Sequence, residues 1–341
     1  MAGCTDHHAK PSELLRPPLE PMLAAPIGAF PAVAGTLRFE MKLDGWRALV
    51  FHTARGVRIQ SRHGRDLSRY FPDVVAAARA LPVGAVVDAE LVIWDAAAGR
   101  TSFTQLQRRI TTGRALATQI AAHPAHLACF DLLHDGTSRL LDEPLHQRRA
   151  RLEEVISAAP TTLSLCPQTD SIEQAQDWMR DAAAAGVEGL VIKDSNGIYR
   201  PGYRGWQKLR RYDTTEAIIA GITTTGAGPH TVLLGRYDTK GTLRYIGRTV
   251  PLDARQRRDL AQQALPQRRG AQPHPWPQPL PATWAGQLRD PQPLHYTPVA
   301  PLLVAEVQAD LAWEYGRYRH PLRLVRIRTD LLPADVDLHK W

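Results

Sequence analysis

One short segment, Glu40–Arg47, constrains this chain more than any other part of its sequence. A strand-like stretch lies on each side of Asp44-Gly45, a dipeptide that favours a tight turn, and Lys42 comes just before that turn. The chain has only six lysines among 42 basic residues, so arginine supplies most of its positive charge. A lysine amine can lose its proton and attack an electrophile, whereas a guanidinium stays protonated. The segment therefore predicts a turn between two strands that carries a candidate nucleophile, Lys42. A surface hairpin with solvated charges is the alternative.

Hydrophobic periodicity predicts two different regions along the chain. With 341 residues and 44% hydrophobic content, the chain can bury a core in more than one domain. Up to about Tyr212 strands alternate with helices, whereas beyond it the pattern is mostly β. The second region has five predicted strands, with one helix between the third and the fourth, which is typical of an OB-fold barrel. Residues 1 to about 35 are interpreted as a tail, and the proline-rich residues 266–301 as a long irregular connection.

The predicted strands of the first region are Leu37–Lys42, Trp46–His52, Val57–Gln60, Ala85–Trp94, His126–Leu133, Gly189–Lys193 and Trp206–Arg210. Its predicted helices are Asp73–Ala80, Leu145–Ser157 and Ile172–Ala185. The second region is predicted to contain strands Glu216–Ile222, Thr231–Tyr237, Leu243–Arg248, Leu302–Leu311 and Leu322–Arg328, and a helix over Asp253–Ala264.

Charge and cysteine content narrow the functional classes. A net charge of +8 favours an anionic partner such as a phosphate-bearing polymer, although basic proteins exist that bind no nucleic acid. Three scattered cysteines argue against a disulfide framework or a thiolate metal site. No apolar run approaches the roughly 18 residues of a membrane span, and no signal-peptide core is present. We expect no membrane association and a cytoplasmic location, nucleoid-associated in a bacterium.

Six further motifs follow the Lys42 segment in order. They are Ser61–Gly64, Asp88–Glu90, Phe130–Leu132, Glu188–Lys193, Trp206–Arg210 and Arg326–Asp330. Because all of them occur in order and at sensible spacing, chance does not explain the series. On these motifs the chain resembles the ATP-dependent DNA ligases of the covalent nucleotidyltransferase superfamily, from about Pro21 to Asp330.

The resemblance implies an α+β fold with two domains. An ATP-grasp-like nucleotidyltransferase domain, with antiparallel sheets and flanking helices, is expected to precede a C-terminal OB-fold β-barrel. The implied boundaries are residues 1–20 for a flexible tail, 21–212 for the adenylation domain and 213–341 for the OB-fold domain. We expect a small two-domain form without an N-terminal DNA-binding domain, and therefore strongly salt-sensitive DNA binding.

The resemblance also implies roles for individual residues. Lys42 would attack the α-phosphate of ATP, which gives lysyl-AMP and pyrophosphate. Since a free lysine has a pKa of about 10.4, we expect Arg47, Lys208 and a bound metal to disfavour its ammonium form. The metal-binding candidates are Glu188 and Glu90, the latter also placed at the ribose hydroxyl. Mg²⁺ is the expected ion and Mn²⁺ a possible substitute.

ATP contacts are implied for a larger set of residues on both sides of the nucleophile. They are Glu40, Met41, Arg47, Arg62, Glu90, Phe130, Glu188, Lys208, Arg210, Arg326 and Arg328. Glu40 would accept from the adenine amino group, which favours ATP over GTP, and Phe130 would stack on adenine. Nucleic-acid contacts are implied for Arg47 and Arg62 and expected for Arg204, in a loop that mixes aromatic and basic residues.

Several of these residues have a second interpretation. Phe130 lies in an apolar run and also suits a core position, and the Arg204 loop also suits a flexible surface loop. Arg326 and Arg328 would orient pyrophosphate, or simply form a solvated charged face. Relatives usually carry lysine where this chain has Arg210 and Leu331, which makes those two positions the clearest departures from the family pattern.

The function implied is the sealing of 5′-phosphate/3′-hydroxyl nicks in duplex DNA, in repair or replication, through lysyl-AMP and an adenylylated DNA end. The expected partner is nicked double-stranded DNA, with repair proteins as possible further partners and a monomeric chain. An ATP-dependent ligase of RNA or of ribonucleotide-containing nicks is the alternative. A non-catalytic DNA-binding module is disfavoured, because Lys42, Glu90, Glu188 and Lys208 are all present.

Overall fold

The computed structural model describes residues 14–32, 34–181, 185–226, 228–263, 274–284, 292–310 and 312–339. The chain forms two compact units, Met1–Arg210 and Arg211–Trp341.

The strands of the first unit are β1 (Ala24–Ile27), β2 (Leu37–Leu43), β3 (Trp46–Thr53), β4 (Gly56–Ser61), β5 (Ala85–Asp95), β6 (Arg100–Thr101), β7 (Ala125–Asp135), β8 (Leu163–Leu165), β9 (Gln168–Thr169), β10 (Val187–Asp194) and β11 (Trp206–Arg210). Its α-helices are α1 (Pro72–Ala78), α2 (Phe103–Thr111), α3 (Leu116–Ala122), α4 (Leu145–Ser157) and α5 (Ile172–Asp181).

Two sheets build the first unit. One has the strand order β1-β11-β10-β2-β9, and the other has the order β4-β3-β5-β7-β8, with β6 pairing on β5. A core that includes Phe51, Phe130 and Trp206 takes side chains from both sheets, whereas α1, α2 and α4 contribute to the core on the other face of the second sheet. The apolar run of β3 serves both cores: Leu49 and Phe51 belong to one, and Ala48 and Val50 to the other, because side chains alternate along a strand.

The turn at Asp44-Gly45 connects these two sheets. β2 pairs with β10 and β9, whereas β3 pairs with β4 and β5, so the hairpin interpretation of this segment is wrong. The chain passes so close to β5 at this point that a Cβ on Gly45 would lie 2.9 Å from Val92 Cγ1 and would also collide with the Leu91 carbonyl. Gly45 is therefore required by a close approach between backbones as well as by the turn.

The second unit contains β12 (Asp213–Thr225), β13 (Gly228–Tyr237), β14 (Leu243–Arg248), β15 (Thr297–Ala309), β16 (Trp313–Glu314), β17 (Arg317–Tyr318), β18 (Arg323–Arg328) and the helix α6 (Ala254–Gln262).

Five of these strands form one antiparallel sheet with the order β14-β13-β12-β15-β18, while β16 and β17 pair separately. An isolated parallel bridge joins Thr249 to Leu322, next to the end of β14 and the start of β18, so the two edge strands approach each other there. α6 begins after Asp253, which forms a reciprocal capping box with Gln256. The five predicted strands correspond to β12–β15 and β18, and the predicted helix corresponds to α6, whereas the short strands β16 and β17 had no prediction.

Some predicted elements were wrong. Residues 24–27 of the supposed tail form β1, which pairs in parallel with β11; Pro26 is tolerated because β1 is an edge strand. In the supposed irregular connection, Trp276 and Leu280 are buried against the sheet of the second unit, and β15 already begins at Thr297. Residues 264–273 and 285–291 of that connection lie outside the described residues.

The short helices α2 and α3 had no prediction. α5 is described as far as Asp181, and residues 182–184 of the predicted helix lie outside the described residues. By contrast, α4, β11 and β14 have the predicted bounds. In the described part of the chain, helices are too short or too polar to pass through a bilayer.

Candidate active site

Lys42 lies near the end of β2, where its amine meets a carboxylate from the adjacent strand. Its Nζ donates to Glu188 Oε2 on β10 and forms an ion pair with it. The Lys42 side chain keeps 22% of its surface exposed, whereas that of Glu188 keeps 4%. The amine is thus held by a buried partner and remains open to a solvent-borne substrate.

A local irregularity of β10 places Glu188 against the amine. The pairing of β10 with β2 shifts register between Val187 and Gly189, so Glu188 is the extra residue of a bulge. Gly189 is paired opposite Lys42 with a φ of 152°, and a Cβ there would lie 2.8 Å from Arg210 Cα and collide with the Leu209 carbonyl. Only glycine allows β11 to approach this closely behind the bulge.

Glu90 brings a second carboxylate to the site from β5, where it is paired opposite Arg47. Burial raises the pKa of Glu90 to about 8; Lys42 and Arg47 oppose that shift, and the charges of Asp44 and Glu188 add to it. Loss of hydration is the main cause of this shift, and the nearby cations offset it only in part. Such an arrangement favours an additional cation.

The donor set fits a hard divalent cation. Glu188 and Glu90 offer carboxylate oxygens, which suit Mg²⁺. Among the residues with described side chains, no three His, Cys, Asp or Glu groups come together as a complete metal site. An ion held here would thus need further oxygen ligands, and a polyphosphate supplies them.

A group of cations lies around Lys208 on β11. Burial lowers the pKa of Lys208, and the positive charges of Arg210, Lys42, Arg62 and Arg204 lower it further. Residues from three motifs and Arg204 of the loop thus act electrostatically on Lys208. This concentration of positive charge suits a polyphosphate or a nucleic-acid backbone.

The guanidinium of Arg47 is fixed in place by Asp88, for which the sequence had suggested no role. Arg47 Nε donates to Asp88 Oδ1 at 2.9 Å and Nη2 to Oδ2 at 2.6 Å, while Nη1 donates to the Met22 carbonyl at 2.5 Å. Burial alone would lower the pKa of Arg47, but Asp88 raises it above its ordinary value. The hydroxyl of the buried Tyr199 donates to the same Asp88 oxygen at 2.7 Å.

Lys193 is a second residue whose position the sequence did not reveal. Its buried Nζ lies 2.7 Å from Glu40 Oε2, while Gln168 Nε2 donates to Glu40 Oε1 at 2.8 Å. The same amine is 4.4 Å from the centre of the Phe130 ring and 4.2 Å from that of Trp206. The available signal was a rare lysine inside the apolar strand β10, where a charge needs a partner.

The other predicted residues occupy different surroundings. Phe130 is packed in the core between the sheets, and the Met41 carbonyl lies 3.5 Å from Cys166 Sγ. Arg62 and Arg204 are exposed.

In the second unit, Arg326 and Arg328 face carboxylates of neighbouring strands. Arg326 Nε donates to Glu306 Oε2 at 2.8 Å. Arg328 is bidentate on Asp330 at 2.9 and 2.8 Å and also donates to Glu216 Oε1 at 3.1 Å. Both arginines share Glu306, so they lie on one side of β18 as predicted.

Comparison with known proteins identifies the class of this enzyme. Residues 21–210 match the family model described as the ATP dependent DNA ligase domain. That match covers more than half of the chain, which therefore belongs to the ATP-dependent DNA ligase family. The predicted family and enzyme class are confirmed: this is an ATP-dependent DNA ligase.

Relatives extend the likeness over almost the whole chain. DNA ligase C1 of Mycolicibacterium smegmatis is 32% identical over 338 residues, which cover 94% of this chain and 92% of the relative. DNA ligase C of Mycobacterium tuberculosis is 31% identical over 340 residues, with 93% and 92% coverage. Among solved structures, a mycobacterial DNA ligase D complexed with ATP and MES has a TM-score of 0.51 and 30% identity, covering 94% of this chain and 98% of that chain.

Proposed function

We propose that this ligase seals 5′-phosphate/3′-hydroxyl nicks in duplex DNA through a covalent Lys42–AMP intermediate. The observation that carries this proposal is the amine of Lys42, held by Glu188 beside a cluster of cations. Among the residues of the site, Lys42 combines an ionisable amine with partial exposure to solvent.

The first step follows from the chemistry of that amine. Lys42 Nζ attacks the α-phosphorus of ATP, an N–P bond forms, and the bond to the bridging oxygen breaks so that pyrophosphate leaves. The proton lost by the amine has an acceptor in Glu188, with which it already forms an ion pair. AMP then passes to the 5′-phosphate of the nick, and attack by the 3′-hydroxyl forms the phosphodiester and releases AMP.

A divalent cation belongs in this proposal because two carboxylates, Glu188 and Glu90, lie within electrostatic reach of the Lys42 amine. Glu188 and Glu90 would hold Mg²⁺, or Mn²⁺ in its place, together with phosphate oxygens of ATP. The ion neutralises phosphate charge when bound. The raised pKa of Glu90 supports this assignment, since a bound cation would stabilise the charged form of a carboxylate that burial disfavours.

The remaining nucleotide contacts are assigned by chemical type. Glu40, Met41 and Phe130 form the adenine side of the pocket, and Lys208 and Arg210 the phosphate side. The pair formed by Glu40 and Lys193 orients a carboxylate close to Phe130, which supports that division.

We assign the second unit, residues 213–341, as an OB-fold domain and residues 21–212 as the adenylation domain, with residues 1–20 as a tail. The five-stranded sheet and the bridge from Thr249 to Leu322 support a closed barrel. Arg326 and Arg328 would orient pyrophosphate, in exchange for their contacts with Glu216 and Glu306.

The proposed substrate is nicked duplex DNA, bound by Arg47, Arg62 and Arg204 and by the net charge of +8. Because phosphate contacts release counterions, we expect affinity to fall steeply with salt. We further propose that the chain acts as a cytoplasmic monomer in repair or replication.

Labelled ATP tests the first step directly. Incubation with Mg²⁺ and ATP labelled on the α-phosphate should give a covalent adduct with the wild-type chain, none with Lys42→Ala and none with Lys42→Arg. The arginine variant is the matched control, because it keeps the positive charge opposite Glu188 but has no amine to deprotonate. An adduct in Lys42→Arg, or one formed equally well from GTP, would contradict the proposal.

A panel of nicked duplexes then tests the substrate. DNA nicks should be sealed faster than nicks with ribonucleotides on either side. Faster sealing of the ribonucleotide substrates would instead favour the RNA-ligase alternative.

A further inference from the structure

The turn Arg200–Gly205 presents an exposed aromatic ring next to the cation cluster. Tyr203 keeps 56% of its surface exposed, and the Arg200 guanidinium lies 5.6 Å from the centre of its ring. Arg204 follows directly and is close enough to Lys208 to lower the pKa of that lysine. Tyrosine and arginine are both enriched among the residues that contribute most to binding interfaces.

The backbone of this turn is fixed, even though its side chains are exposed. Leu23 N donates to the Tyr203 carbonyl at 2.7 Å, and Tyr203 N donates to the Arg200 carbonyl at 3.1 Å. Gly202 has a φ of 73°, and a Cβ there would lie 2.5 Å from Glu20 Oε2. These contacts therefore fix the turn to the N-terminal segment that contains Glu20 and Leu23. The backbone of Tyr203 is thus held in place without a ligand.

The aromatic residues on either side of Tyr203 in the sequence are buried. Tyr199, four residues before Tyr203, is buried and donates to Asp88, so it cannot meet a macromolecular partner. Trp206, three residues after Tyr203, is also buried. Tyr203 is thus the aromatic side chain of this segment that is left for an external partner.

From these observations we propose that Tyr203 and Arg200 form a contact for the DNA duplex beside the nick, with the tyrosine ring against a deoxyribose and the arginine on a phosphate. Bases of a duplex are stacked, so the apolar surface available to a ring from outside is the sugar. The inference rests on the proposed function, since it requires that nicked DNA is bound next to Lys208. The inference adds Tyr203 and Arg200 to the DNA interface. The tyrosine ring would exclude water from its contact with the sugar.

The test is DNA binding measured apart from adenylylation. Fluorescence anisotropy with a labelled nicked duplex, without ATP, should give a Kd raised on the order of tenfold for Tyr203→Ala, the scale expected for removing an aromatic anchor from an interface. Tyr203→Phe keeps the ring and should bind within about twofold of wild type. Arg200→Ala should lower the slope of log Kd against log salt by about one.

Trp94→Ala serves as the matched control, because Trp94 is an exposed aromatic residue of similar exposure, 46%, on β5. Its Kd should equal that of the wild type. Thermal unfolding of each variant checks that the fold is retained, as expected for an exposed side chain.

The outcomes separate the two proposals. A wild-type chain that forms no lysyl-AMP contradicts the proposed function. If lysyl-AMP forms but Tyr203→Ala binds nicked DNA as well as Trp94→Ala does, the duplex contact is overturned and the function stands. A tenfold loss in Tyr203→Phe as well would also overturn it, because the hydroxyl rather than the ring would then carry the contact.

Discussion

The surroundings of a motif carboxylate shift its pKa in opposite directions in the two units of this ligase. In the first unit, burial raises the pKa of Glu90 to about 8, although the charges of Lys42 and Arg47 oppose that shift. In the second, Asp330 is held by Arg328, and its pKa falls to about 2. A carboxylate whose charged form is disfavoured by burial gains from a further cation, whereas a carboxylate that already holds an arginine gains little. The difference indicates that the first unit is prepared for a ligand and that the arginines of the second must exchange partners to meet one.

The largest expected effect is the loss of a carboxylate from the first unit. Glu188→Gln should slow lysyl-AMP formation on the order of a hundredfold or more, because it removes both the partner of Lys42 and a proposed metal ligand. The control in the second unit is Glu306→Gln, which should change the rate by less than about fivefold, since Arg328 keeps its ion pairs with Glu216 and Asp330. Rapid-quench measurement of the labelled adduct gives both rates. If both variants formed lysyl-AMP at equally reduced rates, the two units would not differ in how strongly the reaction depends on their carboxylates.

The next effect concerns the backbone behind the nucleophile. Gly189→Ala should destabilise the first unit by roughly 3 kcal/mol or more, because φ is positive and the Cβ meets the backbone of β11. Gly28→Ala is the control, since its Cβ would meet nothing within 4 Å. Urea unfolding followed by tryptophan fluorescence compares them. A Gly189 variant as stable as the Gly28 variant would show that the bulge is not constrained.

The two arginines of β18 should differ in their effects. Arg328 has a side chain that is 17% exposed and contacts three carboxylates, whereas Arg326 is 62% exposed and contacts Glu306. We expect Arg328→Ala to slow lysyl-AMP formation about tenfold or more, and to lower the melting temperature, because three carboxylates lose a shared partner. Arg326→Ala should leave the melting temperature closer to that of the wild type. The reverse order of melting temperatures would contradict the assignment of Arg328 as the central cation of this group.

The smallest effect is a pH dependence of opposite sign in the two units, measured without metal and nucleotide. Glu90 has an ordinary pKa of 4.5 and a folded-state pKa of about 8, so the folded chain keeps its proton longer and stability falls between these values as pH rises. The slope cannot exceed about 1.4 kcal/mol per pH unit, and it should be smaller because Glu90 retains partial solvent access. For Asp330, the contribution is present above 3.8 and is lost as pH falls towards 2.

Denaturant unfolding across a pH series, with Glu90→Gln and Asp330→Asn, measures both dependences. Glu90→Gln should flatten the decline between pH 5 and 8, and Asp330→Asn the decline at acid pH. If Glu90→Gln leaves the neutral-pH slope unchanged, the pKa of Glu90 is not raised as its burial indicates.

Much of this fold and site could be predicted from local sequence, for physical reasons that particular elements make clear. The bounds of α4, β11 and β14 follow from their own periodicity. Short elements such as β1 carry too little periodic signal, and β1 exists only because β11 offers it an edge. The order of the motifs that contain Lys42, Glu90, Glu188 and Lys208 was sufficient to predict the family, because that order is read directly along the sequence.

What the sequence by itself determined is the chemistry: one rare lysine before a tight turn, two carboxylates and a basic strand, in the order of a DNA ligase. What only the tertiary structure decided is the environment of each group. Asp44-Gly45 joins two sheets instead of closing a hairpin, Asp88 holds Arg47, and Lys193 holds Glu40. These contacts join residues far apart in the chain. Their energies depend on burial and distance, which no local pattern records.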